Sequence, residues 1–334
     1  MEPVHKTGSY VLIGDLCVDI FMQVAAYPAA GGDGTVQTMQ QHAGGSAANT
    51  AMMLAKLGGE PTLLTHTGSD VWAQKLLPIL AATGVRVDKI VQDSSDQTGL
   101  TFLVVSSDAE RTMFTYRGAN RNLHPDEILT DMFETMDYLH ISSYACLVPP
   151  QADAVLKAVE LANQHHIKIS LDIGVEPASQ ARDIIWRLLP KLSLIMLGEP
   201  EALVITQAAS LPDAISALSA TGVQIIALKL GKDGCRLISK HKDVSLAGFP
   251  IDAVDTTGAG DAFSAGMIHG LTHDWTLEMA GSFANALGAL ATCRWGAGEA
   301  LPSLKEVSAF LSERNSMEND PVILQVLDRL KEET

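Results

Sequence analysis

The sequence predicts an α/β protein whose mostly parallel sheet is covered by helices on both faces. Three observations carry this. After residue 136, short apolar runs with little alternation are each followed by an amphipathic stretch of helical period, the signature of strands buried on two sides. Two Gly-rich turns, Gly44-Gly45 and Gly258-Ala259-Gly260, each open a helix. Residues 100–105 and 111–116 instead alternate apolar and polar side chains around the turn-rich Ser106-Ser107-Asp108-Ala109-Glu110, which reads as a hairpin set apart from the main pattern. With 334 residues, 47% of them hydrophobic, the chain can bury a sizeable core, as one large α/β domain or two smaller ones.

Taken in order, YVLIGD from Tyr10 is a first buried strand ending at Gly14-Asp15. Residues 16–34 are ambiguous, with Pro28, Gly31, Gly32 and Gly34 marking a loop. Ala43-Gly44-Gly45-Ser46 opens the helix AANTAMMLAKLGG, which stops at Gly58-Gly59 and carries Ser46 and Asn49 on its first turn. PTLLTHTGSD gives a strand, a turn and a helix capped by Ser69 or Asp70; residues 84–96 show no clear period. Beyond the hairpin, MDYLHISSY, IKISLDIG, SLIML and VQIIALKLG are strands. QADAVLKAVELANQHH, PASQARDIIWRLLPK, EPEALVI and LPDAISALSATG are helices, and CRLISKHKDVSLAGFP is a short hairpin. Ile251 to Val254 is a short extended segment, followed by Asp255-Thr256-Thr257, the glycine turn, and a helix expected from Asp261. Residues 1–315 form the main body, and 316–334 are expected to be a loosely attached helical tail.

Composition excludes several classes. The 39 acidic and 23 basic side chains give a formal net charge of −16, which disfavours nucleic acid as a partner. An anionic ligand would need a local basic patch against that field. No run of about 18 apolar residues suggests a membrane span, and the N-terminus does not read as a signal peptide. Cys17, Cys146, Cys235 and Cys293 lie far apart without CxxC spacing, which points to reduced thiols and a cytoplasmic location. A GxxxxGK[ST] loop, a GxGxxG at a strand-to-helix turn and a GxSxG elbow are all missing. His269 and His273 have i, i+4 spacing but no HExxH glutamate, and packing explains them better than zinc.

The stretch IDAVDTTGAGDAFSAG carries the chemistry. Gly258-Ala259-Gly260 leaves the first amides of a helix uncovered, and unpaired N–H groups at the positive end of a helix dipole favour an anion. Asp261 stands in that same turn. A carboxylate repels an anion, so its presence makes sense if it accepts a proton from a hydroxyl attacking beside the anion. The bland alternative is a capped connection, because aspartate is common at helix starts.

DTTGAGDAFSAG and the early GGSAANTAMMLAKLGG, in this order, are together specific, and over roughly residues 9–313 the chain resembles the ribokinase-like family, the PfkB carbohydrate kinases. The resemblance implies a three-layer fold with a small β-sheet lid, formed from about 16–43 and 98–118, which excludes water from the reaction. It implies transfer of phosphate from ATP to a hydroxyl, usually the exocyclic CH₂OH of a sugar or nucleoside. By position, Asp261 matches the catalytic base and Gly258, Ala259 and Gly260 the anion hole. Asp19, Gly44, Gly45 and Asn49 match the acceptor site. Glu201 matches the glutamate that places Mg²⁺ through water. Lys229, Gly231, Gly234 and Asn285 match nucleotide contacts, and Asp255 with Thr257, beside backbone carbonyls of 293–298, resembles a monovalent-cation site that K⁺ would fill. Arg111 and Arg117 flank the second lid strand. Arg117 is either a surface charge paired with an acidic neighbour or a contact to an anionic or highly hydroxylated acceptor.

The chain departs from the family in places. Gly198 stands where asparagine is frequent, and ribokinases proper have asparagine at Cys17 and lysine at Ser46, which counts against ribose itself. A nucleoside kinase is the alternative enzyme. A non-catalytic sugar or nucleotide sensor is the alternative class, against which the presence of both Asp261 and its glycine turn counts. Exposed lid-strand edges invite pairing, so a homodimer through the lid is the expected assembly.

Overall fold

Strands rich in Ile, Leu and Val form the centre of the molecule in a computed structural model that describes residues 7–107 and 111–332. In chain order come β1 (Ser9–Ile13), β2 (Cys17–Val24), β3 (Val36–Gly44), α1 (Ser46–Lys56), β4 (Glu60–Gly68), α2 (Val71–Ala82), β5 (Ile90–Asp93), β6 (Gly99–Val105) and β7 (Arg111–Tyr116). Then follow β8 (Tyr138–Ser142), α3 (Gln151–Gln164), β9 (Lys168–Asp172), α4 (Val175–Gln180), α5 (Arg182–Leu188), β10 (Leu194–Gly198), α6 (Glu199–Thr206), α7 (Leu211–Ala220) and β11 (Ile225–Lys229). The chain closes with β12 (Cys235–Ser239), β13 (Asp243–Leu246), α8 (Ala259–Thr272), α9 (Leu277–Ala291), α10 (Leu304–Glu318) and α11 (Pro321–Glu332).

Nine strands make the main sheet in the order β13-β12-β11-β10-β9-β8-β1-β4-β5. It is parallel from β5 to β11, and β12 and β13 add an antiparallel edge. Successive residues of β1 serve opposite faces. Tyr10 and Leu12 pack with α1, α8 and α9, whereas Val11 and Ile13 pack with α3, α5 and α6. A separate four-stranded sheet, β3-β2-β6-β7, is the lid. The expected α/β architecture with a second small sheet is what the structure shows.

Several expectations need correction. The ambiguous segment 16–34 divides: 17–24 form β2, a continuous strand because β3 and β6 supply its hydrogen-bond partners from distant sequence, and the expected loop follows it. β5 was invisible in 84–96 because it is a short edge strand with only Ile90 buried. The helix expected over 177–191 breaks at Ala181 into α4 and α5. Ile251–Val254 joins no sheet, and α8 starts at Ala259 rather than Asp261. The tail is not loosely attached, since α11 buries Ile323, Val326, Leu327 and Leu330 in the core shared with α9 and α10. Residues 108–110 of the lid turn lie outside the described residues. Asp70 rather than Ser69 caps α2, accepting from Trp72 N and Ala73 N at 3.0 Å each. His269 is buried, its ring 4.2 Å from that of His273 and edge-on to Trp275, which is packing. Among the described residues no single helix is long and apolar enough to cross a membrane.

Candidate active site

The parallel strands all deliver their carboxyl ends to one side, where ligands of such sheets bind. There α8 begins. Gly258 is its N-cap with φ 76°, a left-handed conformation that glycine adopts without strain. An added Cβ would also lie 2.7 Å from that of Ala297. Ala259 and Gly260 are the first two helical residues and Asp261 the third, so the helix start and the carboxylate share one turn; the Ala259 amide donates to Thr256 O at 3.3 Å.

Asp261 is fixed from the other Gly-rich turn. Its Oδ1 accepts from Ser46 Oγ at 2.8 Å and its Oδ2 from Asn49 Nδ2 at 2.7 Å. Asn49 Oδ1 in turn accepts from Gly298 N at 3.1 Å. Burial pushes the Asp261 carboxyl up to about 6, against the hydrogen bond from Asn49 and with help from the charge of Asp172. Such a group is ionised at neutral pH yet basic enough to take a proton.

Asp19 projects from β2, in register with His42 on β3 and Thr101 on β6. It is buried, and burial followed by the nearby charge of Asp261 raises its carboxyl to about 7. Gly44 exists for this contact: a Cβ there would fall 2.1 Å from Asp19 Oδ2. Arg117 is partly buried and paired with an acidic neighbour. Its Nε and Nη2 donate to the two oxygens of Asp15 at 2.7 Å each, and Nη2 also donates to Gln151 Oε1 at 2.6 Å. Tyr144, nearby, has its hydroxyl raised by burial and then by Glu176, Asp15, Asp261 and Asp172.

On the other side of the α8 N-terminus a cleft of about 820 Å³ opens between the β11–β12 turn and α8–α9. Lys229, Gly231, Gly234 and Asn285 line it, with Ala259, Gly260 and Phe263. Asn285 Nδ2 donates to Leu246 O and Ala247 O, so it also shapes the wall. Lys229 Nζ donates to Asp172 Oδ1 at 2.5 Å and sits 3.5 Å from where a side chain on Gly260 would begin. This places a cation beside the anion-binding turn. Glu201, in the first turn of α6, is close enough to help raise the Asp172 carboxyl, after burial. Its Oε2 comes within 2.5 Å of the Cβ position of Gly198, so a side chain there would make the glutamate shift.

The candidate metal residues fit their ions. Among the described residues no three His, Cys, Asp or Glu side chains gather into a cage. Mg²⁺ needs none, since it is commonly held by one or two carboxylates plus substrate phosphates, and Glu201 with Asp172 supplies that set. Asp255 Oδ1 accepts from Thr257 N (3.0 Å) and Oγ1 (2.8 Å), and Oδ2 from Gly296 N (2.9 Å). A carboxylate offers about four lone-pair positions, and a carboxylate set between Thr257 and the 293–298 loop is a donor of the kind a cation needs.

The structure therefore gathers Asp261, Gly258–Gly260, Asn49 and Lys229 at one point, with Asp19 and Gly44 on the lid side and Gly231, Gly234 and Asn285 along the cleft. Sequence reasoning missed Asp15, Gln151 and Asp172. Asp15 lies just past β1 and Asp172 ends β9, both at carboxyl ends of buried strands, and that position is the signal that could have found them. It also treated Ser46 as a departure, whereas Ser46 holds Asp261.

The sequence pattern described as "pfkB family carbohydrate kinase" matches residues 8–304. "Probable fructokinase-4" of Arabidopsis thaliana is 29% identical over 316 residues, covering 90% of this chain and 96% of that protein. An ATP-dependent ribose-1-phosphate kinase of Halopiger xanaduensis is 31% identical over 303 residues, covering 89% and 95%. In fold, the chain is similar to a fructokinase with bound ATP from Xylella fastidiosa, with TM-score 0.81 at 24% identity over 92% of this chain and 99% of that one.

Proposed function

The chain belongs to the pfkB family of carbohydrate kinases, ATP-dependent phosphotransferases, and on that premise we propose that it moves the γ-phosphoryl of ATP to the hydroxymethyl group of a sugar, with Asp261 as general base. The observation that carries this reading is the position of Asp261. It lies in the uncovered first turn of α8, held by Ser46 and Asn49, with its carboxyl raised to about 6. The names of the relatives, a fructokinase and a ribose-1-phosphate kinase, support a sugar acceptor.

Asp261 takes the proton of the acceptor hydroxyl as that oxygen bonds to the γ-phosphorus and the bond to the ADP oxygen breaks. The amides of Gly258 and Gly260 and the ammonium of Lys229 answer the charge on the moving phosphoryl. When bound through Glu201 and Asp172, Mg²⁺ would neutralise charge on the ATP phosphates. K⁺ beside Asp255 and Thr257 would hold the anion-binding turn in shape. Asp19, protonated for part of the time at neutral pH, offers the acceptor either a donor or an acceptor of hydrogen bonds. The lid excludes water, which would otherwise take the phosphoryl. Its two open edge strands support a homodimer.

The test is ADP release with ATP and Mg²⁺ across sugars, sugar acids, sugar phosphates and nucleosides, with Asp261→Ala as blank. Loss of the base is expected to lower kcat by about 10²–10⁴-fold while ATP still binds. Turnover by the variant at the wild-type rate would remove Asp261 from the role. Binding of a sugar without any transfer would favour a sensor, and turnover confined to nucleosides a nucleoside kinase.

A further inference from the structure

Arg117 is the cation that an anionic acceptor would need, and the fold has already answered its charge. Two parallel N–H···O bonds to Asp15, at 2.7 Å each, make the paired geometry in which guanidinium and carboxylate match best. The remaining Nη2 hydrogen goes to Gln151. The pair is built in. The fully buried Asn120 accepts from Leu16 N at 2.8 Å, and donates to Leu16 O at 3.0 Å and to Arg117 O at 2.8 Å. It thereby staples the segment after Asp15 to the segment that carries Arg117.

The groups around this pair are acidic. Asp19 and Asp261 stand on the lid and α8 sides of the pocket, and Glu176 at the exposed start of α4 reaches the fields of both Arg117 and Tyr144. The two other cations that act on these carboxylates already have acidic partners of their own, Lys229 with Asp172 and His42 with Glu299. The two Nη1 hydrogens, which no recorded protein acceptor takes, suit neutral hydroxyl oxygens. A carboxylate or phosphate placed there would meet Asp15, Asp19, Asp261 and Glu176, inside a protein of net charge −16, and like charges in one site are strongly repelled.

We infer that the acceptor is an uncharged polyol, and that Asp15 sets this specificity by neutralising Arg117. The inference rests on the sugar-kinase reading only in taking this pocket as the acceptor site. It separates the chain from its ribose-1-phosphate kinase relative, whose named acceptor is an anion.

The test compares binding with turnover. Dissociation constants of matched neutral and anionic ligands (ribose and ribose 1-phosphate, fructose and gluconate) are measured by calorimetry without ATP, and kcat/KM for the same ligands with ATP and Mg²⁺. Wild type should prefer the neutral member on the order of tenfold or more. Asp15→Asn keeps the side-chain shape but frees the guanidinium, so it should collapse or reverse the ratio. Glu176→Gln, a change on the exposed rim that asks nothing of the core, should reduce the preference a few-fold even if the buried variant does not fold. Tighter binding of the anionic member by wild type overturns the inference, as does an unchanged ratio in both variants. A neutral preference in binding with no phosphoryl transfer would support this pocket chemistry and refute the kinase reading, so the two failures are distinguishable.

Discussion

As the proposed general base, Asp261 has to be ionised and yet remain basic, and its surroundings divide that task. Burial and Asp172 raise its carboxyl, while Asn49 and Ser46 donate to the ionised form and limit the rise to about 6. A base works only when deprotonated, so kcat/KM should fall as the pH drops through about 6. Asp172→Asn removes a like charge and leaves the Lys229 ammonium unanswered. Both changes favour the Asp261 anion, so the acid limb should move to lower pH in a pH–rate profile. A limb that stays put or moves to higher pH would disprove the electrostatic link between β9 and α8.

At the scale of elements, two helix starts separated by most of the chain meet face to face. α1 brings Ser46 and Asn49, α8 brings Asp261, and the 293–298 loop ties in through Gly298 N and Gly296 N. β3 enters α1 through Gly44, whose missing side chain makes room for the Asp19 carboxyl. Gly44→Ala should displace that carboxyl and raise acceptor KM by about 10–100-fold, the range expected for a misplacement near 1 Å. ATP KM should hold, because the cleft lies on the far side of α8. Steady-state kinetics with each substrate varied decides this, and parallel rises in both constants would contradict it. Lys229 and Asp172, at the ends of β11 and β9, show the same division of labour: the sheet supplies rigid points, and the turns beyond it supply the groups.

For the molecule as a whole, the lid is the exposed part. Val36 and Met39 on β3, with Met113, Phe114 and Tyr116 on β7, are large apolar side chains between 42% and 61% exposed, and β3 and β7 are the two edges of that sheet. Open edges with apolar side chains are pairing sites. Sedimentation should show a homodimer at micromolar concentration, converted to monomer by Met39→Lys combined with Phe114→Lys. A wild type that stays monomeric at the highest soluble concentration would end that proposal.

The parallel sheet, the hairpin of the lid and the two glycine turns were legible because each leaves a local trace: buried strands are apolar throughout, hairpins alternate, and uncovered helix starts need glycine. The α8 motif likewise pointed to Asp261 as the candidate base, since a carboxylate beside an anion site suits proton transfer. What the sequence could not settle depends on residues far apart in the chain. β2 became a strand through partners in β3 and β6, and α11 became core by burying one face on α9 and α10. Arg117, open in the sequence as to surface pair or ligand contact, is paired with Asp15, 102 positions away. Charge in a pocket is a sum over neighbours that folding alone brings together, and that sum, rather than any motif, supports the neutral acceptor proposed for this site.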